Sequence, residues 1–220
     1  MSPLSKYLLL LSATILPAAV AVPNVTVVPA TGGCSAYPDW DASTQIAGPW
    51  ILRVSQSDNN TIEGFGDTSQ YIRKSGDTGI HMGRMTIVNM NQYAKNAIRC
   101  NGATSTLEAY TASGVSGYAW NALSLSPYPY DAELLWGLTG GLTVQAYHHY
   151  VAGVLQPGLF IGSGNVTTWG YLYQTSEGST DGLPYYQMRL LGEGSEVPGE
   201  NGTALYPGEF RGFLMVDGSS

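Results

Sequence analysis

The chain has 220 residues, 44% of them hydrophobic and only 11% charged, with 28 glycines, 15 tyrosines and a net charge of −7. An acidic chain without a Lys/Arg cluster gains nothing from releasing phosphate counterions and little from an anionic lipid surface, which excludes nucleic acid and membrane-surface adhesion. The Gly- and Tyr-rich, charge-poor mixture suits strands, tight turns and aromatic-lined surfaces better than long salt-bridged helices.

At the start of the chain Lys6 precedes a short apolar run, Leu8–Leu11 with Ile15 and Leu16, broken at Pro17 and ending at Ala19-Val20-Ala21. The run is too short to span a bilayer, and its small residues suit a signal peptidase. Residues 1–21 therefore read as a cleaved secretory signal and 22–220 as a single secreted β-rich domain, destined for export or for a secretory or vesicular lumen. No later stretch reaches roughly eighteen apolar residues, so no stable membrane insertion is expected. In an oxidising lumen Cys34 and Cys100 are expected to pair as a disulfide. The sequons at Asn24, Asn59, Asn165 and Asn201 fit a glycoprotein.

Residues 22–45 read as an irregular leader, interrupted by Pro23, Pro29, Gly32-Gly33 and Pro38. From Trp50 the pattern alternates, with Trp50, Leu52 and Val54 on one face and Ile51 and Arg53 on the other. Asp58-Asn59-Asn60 marks a turn. Gly79–Val88 is a second strand, carrying Met82, Arg84, Thr86 and Val88 on one side and His81, Met85 and Ile87 on the other. Met90, Tyr93, Ala94, Ala97 and Ile98 fall on one stripe of an amphipathic helix leading into Cys100.

Strands resume at Ser105–Thr111 and Gly117–Leu125. Asp131 is placed to N-cap a short helix through Leu138. Residues 142–155 fit two patterns, a helical stripe of Tyr147, Tyr150, Val151, Val154 and Leu155 and a strand alternation of Leu142, Val144 and Ala146, and the bracketing turns Gly140-Gly141 and Gln156-Pro157-Gly158 favour the strand. Thr167–Gln174, Tyr185–Leu191 and Phe210–Val216 alternate clearly. About eight strand-like runs at irregular spacing point to a mainly-β fold, an antiparallel barrel or sandwich of lipocalin-like kind with one or two short helices.

Three histidines, His81, His148 and His149, form no metal-ligand spacing, so neither a metal nor any other cofactor is expected. Gly162-Ser163-Gly164 and Gly114-Val-Ser116-Gly117 only approach a nucleophile elbow and read as turns. Asp131 and Glu133 are a possible glycosidase-type carboxylate pair, with helix capping the commoner reason for such residues. The chemistry-bearing pattern is a set of strand aromatics with isolated polar members. Trp120, Trp136, Tyr147, Tyr150, Trp169, Tyr171, Tyr173, Tyr185 and Tyr186 could line an apolar mouth, and Arg84, His148, Gln187 and Arg189 interrupt strand-like runs. Apolar pockets with a few placed donors are the usual small-molecule sites; ordinary core and cross-strand packing explains the aromatics equally well. If Arg84 shares a face with Met82 and Val88, its cation needs a partner.

The stretch Pro157-Gly-Leu-Phe-Ile-Gly-Ser-Gly-Asn-Val-Thr-Thr-Trp-Gly-Tyr171 and the closing Pro207-Gly-Glu-Phe-Arg-Gly-Phe213 resemble fungal small secreted glycoproteins. Within that group the whole chain is similar to the hetero-Diels–Alderases of tropolone–sesquiterpenoid pathways. The resemblance implies a cofactor-independent cycloaddition between a tropolone-derived o-quinone methide and a terpene alkene, with a small apolar aromatic or terpenoid substrate as the partner. Under this reading Arg84, His148, Tyr150, Tyr171 and Arg189 supply donors, while Trp120, Trp169 and Tyr173 are substrate-binding walls. The alternatives are a secreted lipocalin-like binding protein for a hydrophobic metabolite and a secreted effector or cell-wall protein acting by surface contact. The oligomeric state stays open.

Overall fold

The computed structural model describes residues 21–74, 81–89, 95–113, 117–127, 132–175, 182–192 and 204–218. The signal-like segment, Asp131 and Asn201 lie outside them. In chain order the elements are β1 (Thr26–Pro29), a 3-10 turn (Gly33–Ala36), β2 (Trp40–Asp41), β3 (Ile46–Ser55), β4 (Gly66–Lys74), β5 (His81–Val88), β6 (Ile98–Asn101), β7 (Thr106–Ser113), β8 (Gly117–Leu125), β9 (Leu134–Trp136), β10 (Gln145–Val151), β11 (Val154–Leu155), β12 (Phe160–Gly162), β13 (Thr168–Gln174), β14 (Tyr185–Leu190) and β15 (Glu209–Asp217). No helix among the described residues is long and apolar enough to cross a membrane.

Neighbouring strands are antiparallel, in the order β1-β10-β12-β15-β13-β14-β5-β4-β3-β6-β7-β8-β9. Two further pairings, β15 with β3 and β5 with β9, close the path into a nine-strand antiparallel barrel with outer strands beside it. Closure removes the free edges that an open sheet would expose.

Alternation along each strand sorts the side chains. Trp50, Leu52 and Val54 of β3, Met85 and Ile87 of β5, Trp136, Trp169, Tyr171, Leu214 and Val216 belong to one buried cluster, so the barrel interior is filled by side chains. Each large apolar group buried there contributes about 1.5–3 kcal/mol. Trp169 donates its indole N–H to the Ile161 carbonyl at 2.8 Å, tying β13 to β12. The Cys34–Cys100 disulfide fastens the 3-10 turn to β6, with a Cα separation of 5.3 Å.

β3 and β4 are paired at Arg53 and Gly66. One residue further on, the carboxylate of Asp67 takes the Leu52 amide at 2.6 Å in place of a backbone carbonyl. Asp67 is fully buried, and burial pushes its pKa up from 3.8 to about 7, with Lys95 and the Leu52 amide opposing the rise. A second, smaller apolar packing lies where the outer strands meet β15. His149 stacks on Phe160 at 3.7 Å and meets Phe213 edge-on. Its Nε2 shares a hydrogen bond of 2.8 Å with the Thr167 hydroxyl, and burial lowers its pKa to about 4, so the ring is neutral near pH 7.

The expected helices are corrected. Residues 90–94 of the proposed stripe lie outside the described residues, and its end is strand β6, where Ile98 pairs with Trp50 on one side and Ala109 on the other. Ile98 and Cys100 face inward while Arg99 and Asn101 face out, so a strand buries Ile98 and shares its ladder bonds with two neighbours. The helix expected to run through Leu138 is strand β9 over Leu134–Trp136, buried on both faces, where the apolar run carries no period. The leader is also more ordered than its prolines suggest: β1 pairs with β10, and Pro29 sits at the end of an edge strand. Strands β2, β4 and β12 are likewise additional to the strand-like runs read from sequence.

Candidate functional site

On β5, Gly83, Met85 and Ile87 turn inward, which places Arg84 and Thr86 on the barrel's outer face. On β13, Trp169 and Tyr171 turn inward, leaving Gly170 and Leu172 outside. Gly170 stands opposite Arg189 of β14 and Arg211 of β15. Its lack of a side chain is required, because a Cβ there would overlap the Glu209 carboxylate.

These registers gather a polar band across β5, β9, β14 and β15. Arg84 Nη1 lies 3.3 Å from Glu133 Oε1, and the Gln187 amide donates to the same oxygen. Arg189 is 3% exposed and grips Glu209, 6% exposed, through Nε to Oε1 and Nη2 to Oε2, both at 2.7 Å. Its Nη2 also donates to the Ala204 carbonyl at 2.8 Å, and the Tyr206 amide donates to Glu209 Oε2 at 2.9 Å. The Arg189 guanidinium lies 4.6 Å from the Tyr206 ring centre. Leu172, Gln187, Arg189, Tyr206 and Glu209 line a cleft of about 220 Å³. The buried Arg189–Glu209 pair and the half-buried Arg84 beside buried Glu133 form a fixed polar array next to one apolar wall.

Of the candidate site residues, Arg84 and Arg189 share this band, joined by Gln187. The others are elsewhere. Tyr171 is fully buried in the barrel, donates its hydroxyl proton to the Phe213 carbonyl at 3.0 Å, and has its pKa raised well above the ordinary value by burial. Trp169 is interior as well. Tyr173 is exposed and meets Tyr186 edge-on at 5.4 Å, next to Phe65. His148 and Tyr150 face the same side of β10, half-buried and opposite Val28 and Thr26 of β1. Trp120 is half-buried on the outer face of β8, with the Arg99 guanidinium 4.1 Å above its ring. The sequence-derived set is thus spread over the outer polar band, the barrel interior, the exposed end of β13, strand β10 and strand β8.

Glu209 and Tyr206 of the cleft escaped the sequence reading, and Glu133 was read only as half of a carboxylate pair. Gly170 carries the one usable signal: a glycine in the middle of a Trp-Gly-Tyr strand marks a close approach by another group. Asn24 and Asn165 are exposed, and Asn59 lies in a turn where its side-chain oxygen accepts the Thr61 amide at 2.9 Å. Among the described residues no three His, Cys, Asp or Glu side chains converge as metal ligands. No family model matches the chain, and no curated protein matches it.

Proposed function

We propose that the protein is a secreted, glycosylated, cofactor-independent catalyst of a hetero-Diels–Alder cycloaddition, working at the Gln187–Arg189–Glu209 cleft on the barrel's outer face. The reading rests on the resemblance of Pro157–Tyr171 and Pro207–Phe213, and on one geometric observation: Arg84, Gln187 and Arg189, three of the polar residues that interrupt strands, meet in one band beside an apolar wall. In the reaction the exocyclic carbon of an o-quinone methide bonds one alkene carbon and its carbonyl oxygen bonds the other. No group leaves and no proton is lost. Such a reaction needs the two partners held in a reactive pose and donors at the oxygen where charge grows. Gln187 and the guanidinium of Arg189 are the donors nearest the cleft, and Leu172 and Tyr206 are its apolar sides. At about 220 Å³ the cleft is below the usual range for a whole drug-sized ligand, so it holds the oxygen-bearing ring while the alkene lies over its rim.

A second reading, a binding protein for a hydrophobic metabolite without turnover, is favoured by the engagement of both guanidiniums with carboxylates. The test is to incubate the mature glycosylated protein with a tropolone quinone-methide precursor and a humulene-type alkene, resolving products by chiral chromatography. The expected result is one enantiomer formed faster than background and lost in Gln187→Leu. Racemic product at the uncatalysed rate, with saturable quenching of Trp fluorescence by the same precursor, selects the binding reading. Racemic product without quenching overturns both.

A further inference from the structure

We infer that the outer face of β6, β7 and β8 is a binding platform for a neutral polysaccharide, separate from the Arg189 cleft. On this face Tyr110 stands directly opposite Trp120, and Tyr118 lies diagonally across from Tyr110. The rings of Tyr110 and Tyr118 stack at 5.9 Å with 28° between their planes, and Tyr110 and Trp120 are 5.3 Å apart. Tyr118 is 68% and Tyr110 44% exposed, so the aromatic row is open to solvent. Cross-strand packing alone would be satisfied by rings that shield one another, yet Tyr118 shows most of its surface to water and Tyr110 nearly half.

The row ends in a fixed polar group. Glu108 takes Arg99 Nε and Nη2, both at 2.7 Å, on Oε2 and the Asn101 amide at 3.0 Å on Oε1. Ala122, opposite Glu108, is small and exposed, so the floor beside the aromatic row stays flat. Pyranose rings present an apolar face of C–H groups and a rim of hydroxyls. The exposed Tyr110 and Tyr118 rings accept the first, with half-buried Trp120 extending the row beneath the Arg99 guanidinium, and the half-buried Arg99 and Asn101, held by buried Glu108, bond the second.

Charge chooses among partners that stack. Single-stranded nucleic acid also stacks on aromatics, but it requires a cationic track along its phosphates. Here Arg99 is already paired with Glu108, and the chain carries −7 overall. An acidic polysaccharide is disfavoured for the same reason. A neutral glycan meets no such penalty.

The test uses the full mature chain, enzymatically deglycosylated so that its own glycans do not compete. Depletion isotherms on insoluble chitin and cellulose, and affinity electrophoresis in laminarin, are compared for wild type, Tyr118→Ala and Tyr110→Ala, with circular dichroism as the folding check. Both substitutions are at exposed positions, and Glu108→Gln provides a second probe at the polar end. Saturable retention by at least one glycan is expected, weakened roughly tenfold by each tyrosine substitution, the scale that stacking on one ring supplies. Retention on none of the three, or retention that both tyrosine variants keep unchanged, overturns the assignment. A concentration-dependent dimer lost in Tyr118→Ala, with no glycan retention, assigns the face to a second copy of the chain instead.

Discussion

Replacing Glu209 by Gln tests whether the Arg189–Glu209 pair organises the cleft. In the native protein Arg189 and Glu209 side chains are 4% and 1% exposed and share two bonds of 2.7 Å, with Ala204 and Tyr206 supplying one more to each partner. Glu209→Gln keeps the volume but removes the carboxylate that holds the buried guanidinium through two bonds. Removing one partner of a buried pair costs about 3–5 kcal/mol. For a chain of this length each kcal/mol lowers Tm by roughly 2–4 °C, so the variant is expected to melt about 6–20 °C lower. The assay is a double-mutant cycle by urea unfolding, with Arg189→Met, Glu209→Leu and the pair together. The double variant is expected to lose much less than the sum of the singles, because it removes both charges and leaves none stranded. A loss below about 1 kcal/mol for Glu209→Gln, the range of exposed pairs, would refute the reasoning. So would simple additivity in the cycle.

The other expectations concern the fold and its response to pH and reduction. Gly170→Ala drives a methyl group into the Glu209 carboxylate and is expected to destabilise by about 1–3 kcal/mol, read by the same unfolding assay; unchanged stability would contradict the close approach. Asp67 has a native pKa of about 7 against an ordinary 3.8, so the folded state holds an extra proton between those values. Stability attributable to this group is therefore greatest below about pH 4, falls as pH rises towards 7 and is flat above, over a span worth on the order of 4 kcal/mol at most. The difference in Tm between wild type and Asp67→Asn across pH 4–8 isolates it, and a pH-independent difference would count against the burial argument. Reducing Cys34–Cys100, whose partners are 66 residues apart, is expected to cost about 4 kcal/mol by loop entropy, measured as the shift of the urea midpoint with and without reductant.

Much of the architecture was legible in residue alternation. Trp50, Leu52 and Val54 alternate with less buried neighbours because one face of β3 meets the filled barrel and the other does not, whereas on β13 and β14 the alternating pattern of residue types stands although both faces are buried over Trp169–Tyr171 and Met188–Leu190. The reading went wrong where that pattern is missing. Leu134–Trp136 is covered on both sides, so its side chains carry no period, and Ile98 lies where apolar residues happen to fit a helical spacing that the ladder to Trp50 and Ala109 overrides.

By itself the sequence determined a β-rich, charge-poor, acidic chain, the pairing of its two cysteines and the candidate polar positions on strands. Arg84, Gln187 and Arg189 were visible as polar residues within apolar runs, since a strand seldom tolerates a charge without a reason. Only the tertiary structure decided which of them meet. Arg84 and Glu133 are brought together by the pairing of β5 with β9, Gln187 reaches Glu133 because β14 lies beside both, and Glu209 reaches Arg189 across Gly170 of β13. Those neighbours are set by barrel closure between segments distant along the chain, and a one-dimensional pattern of alternation records which face a residue takes but not which strand lies next to it.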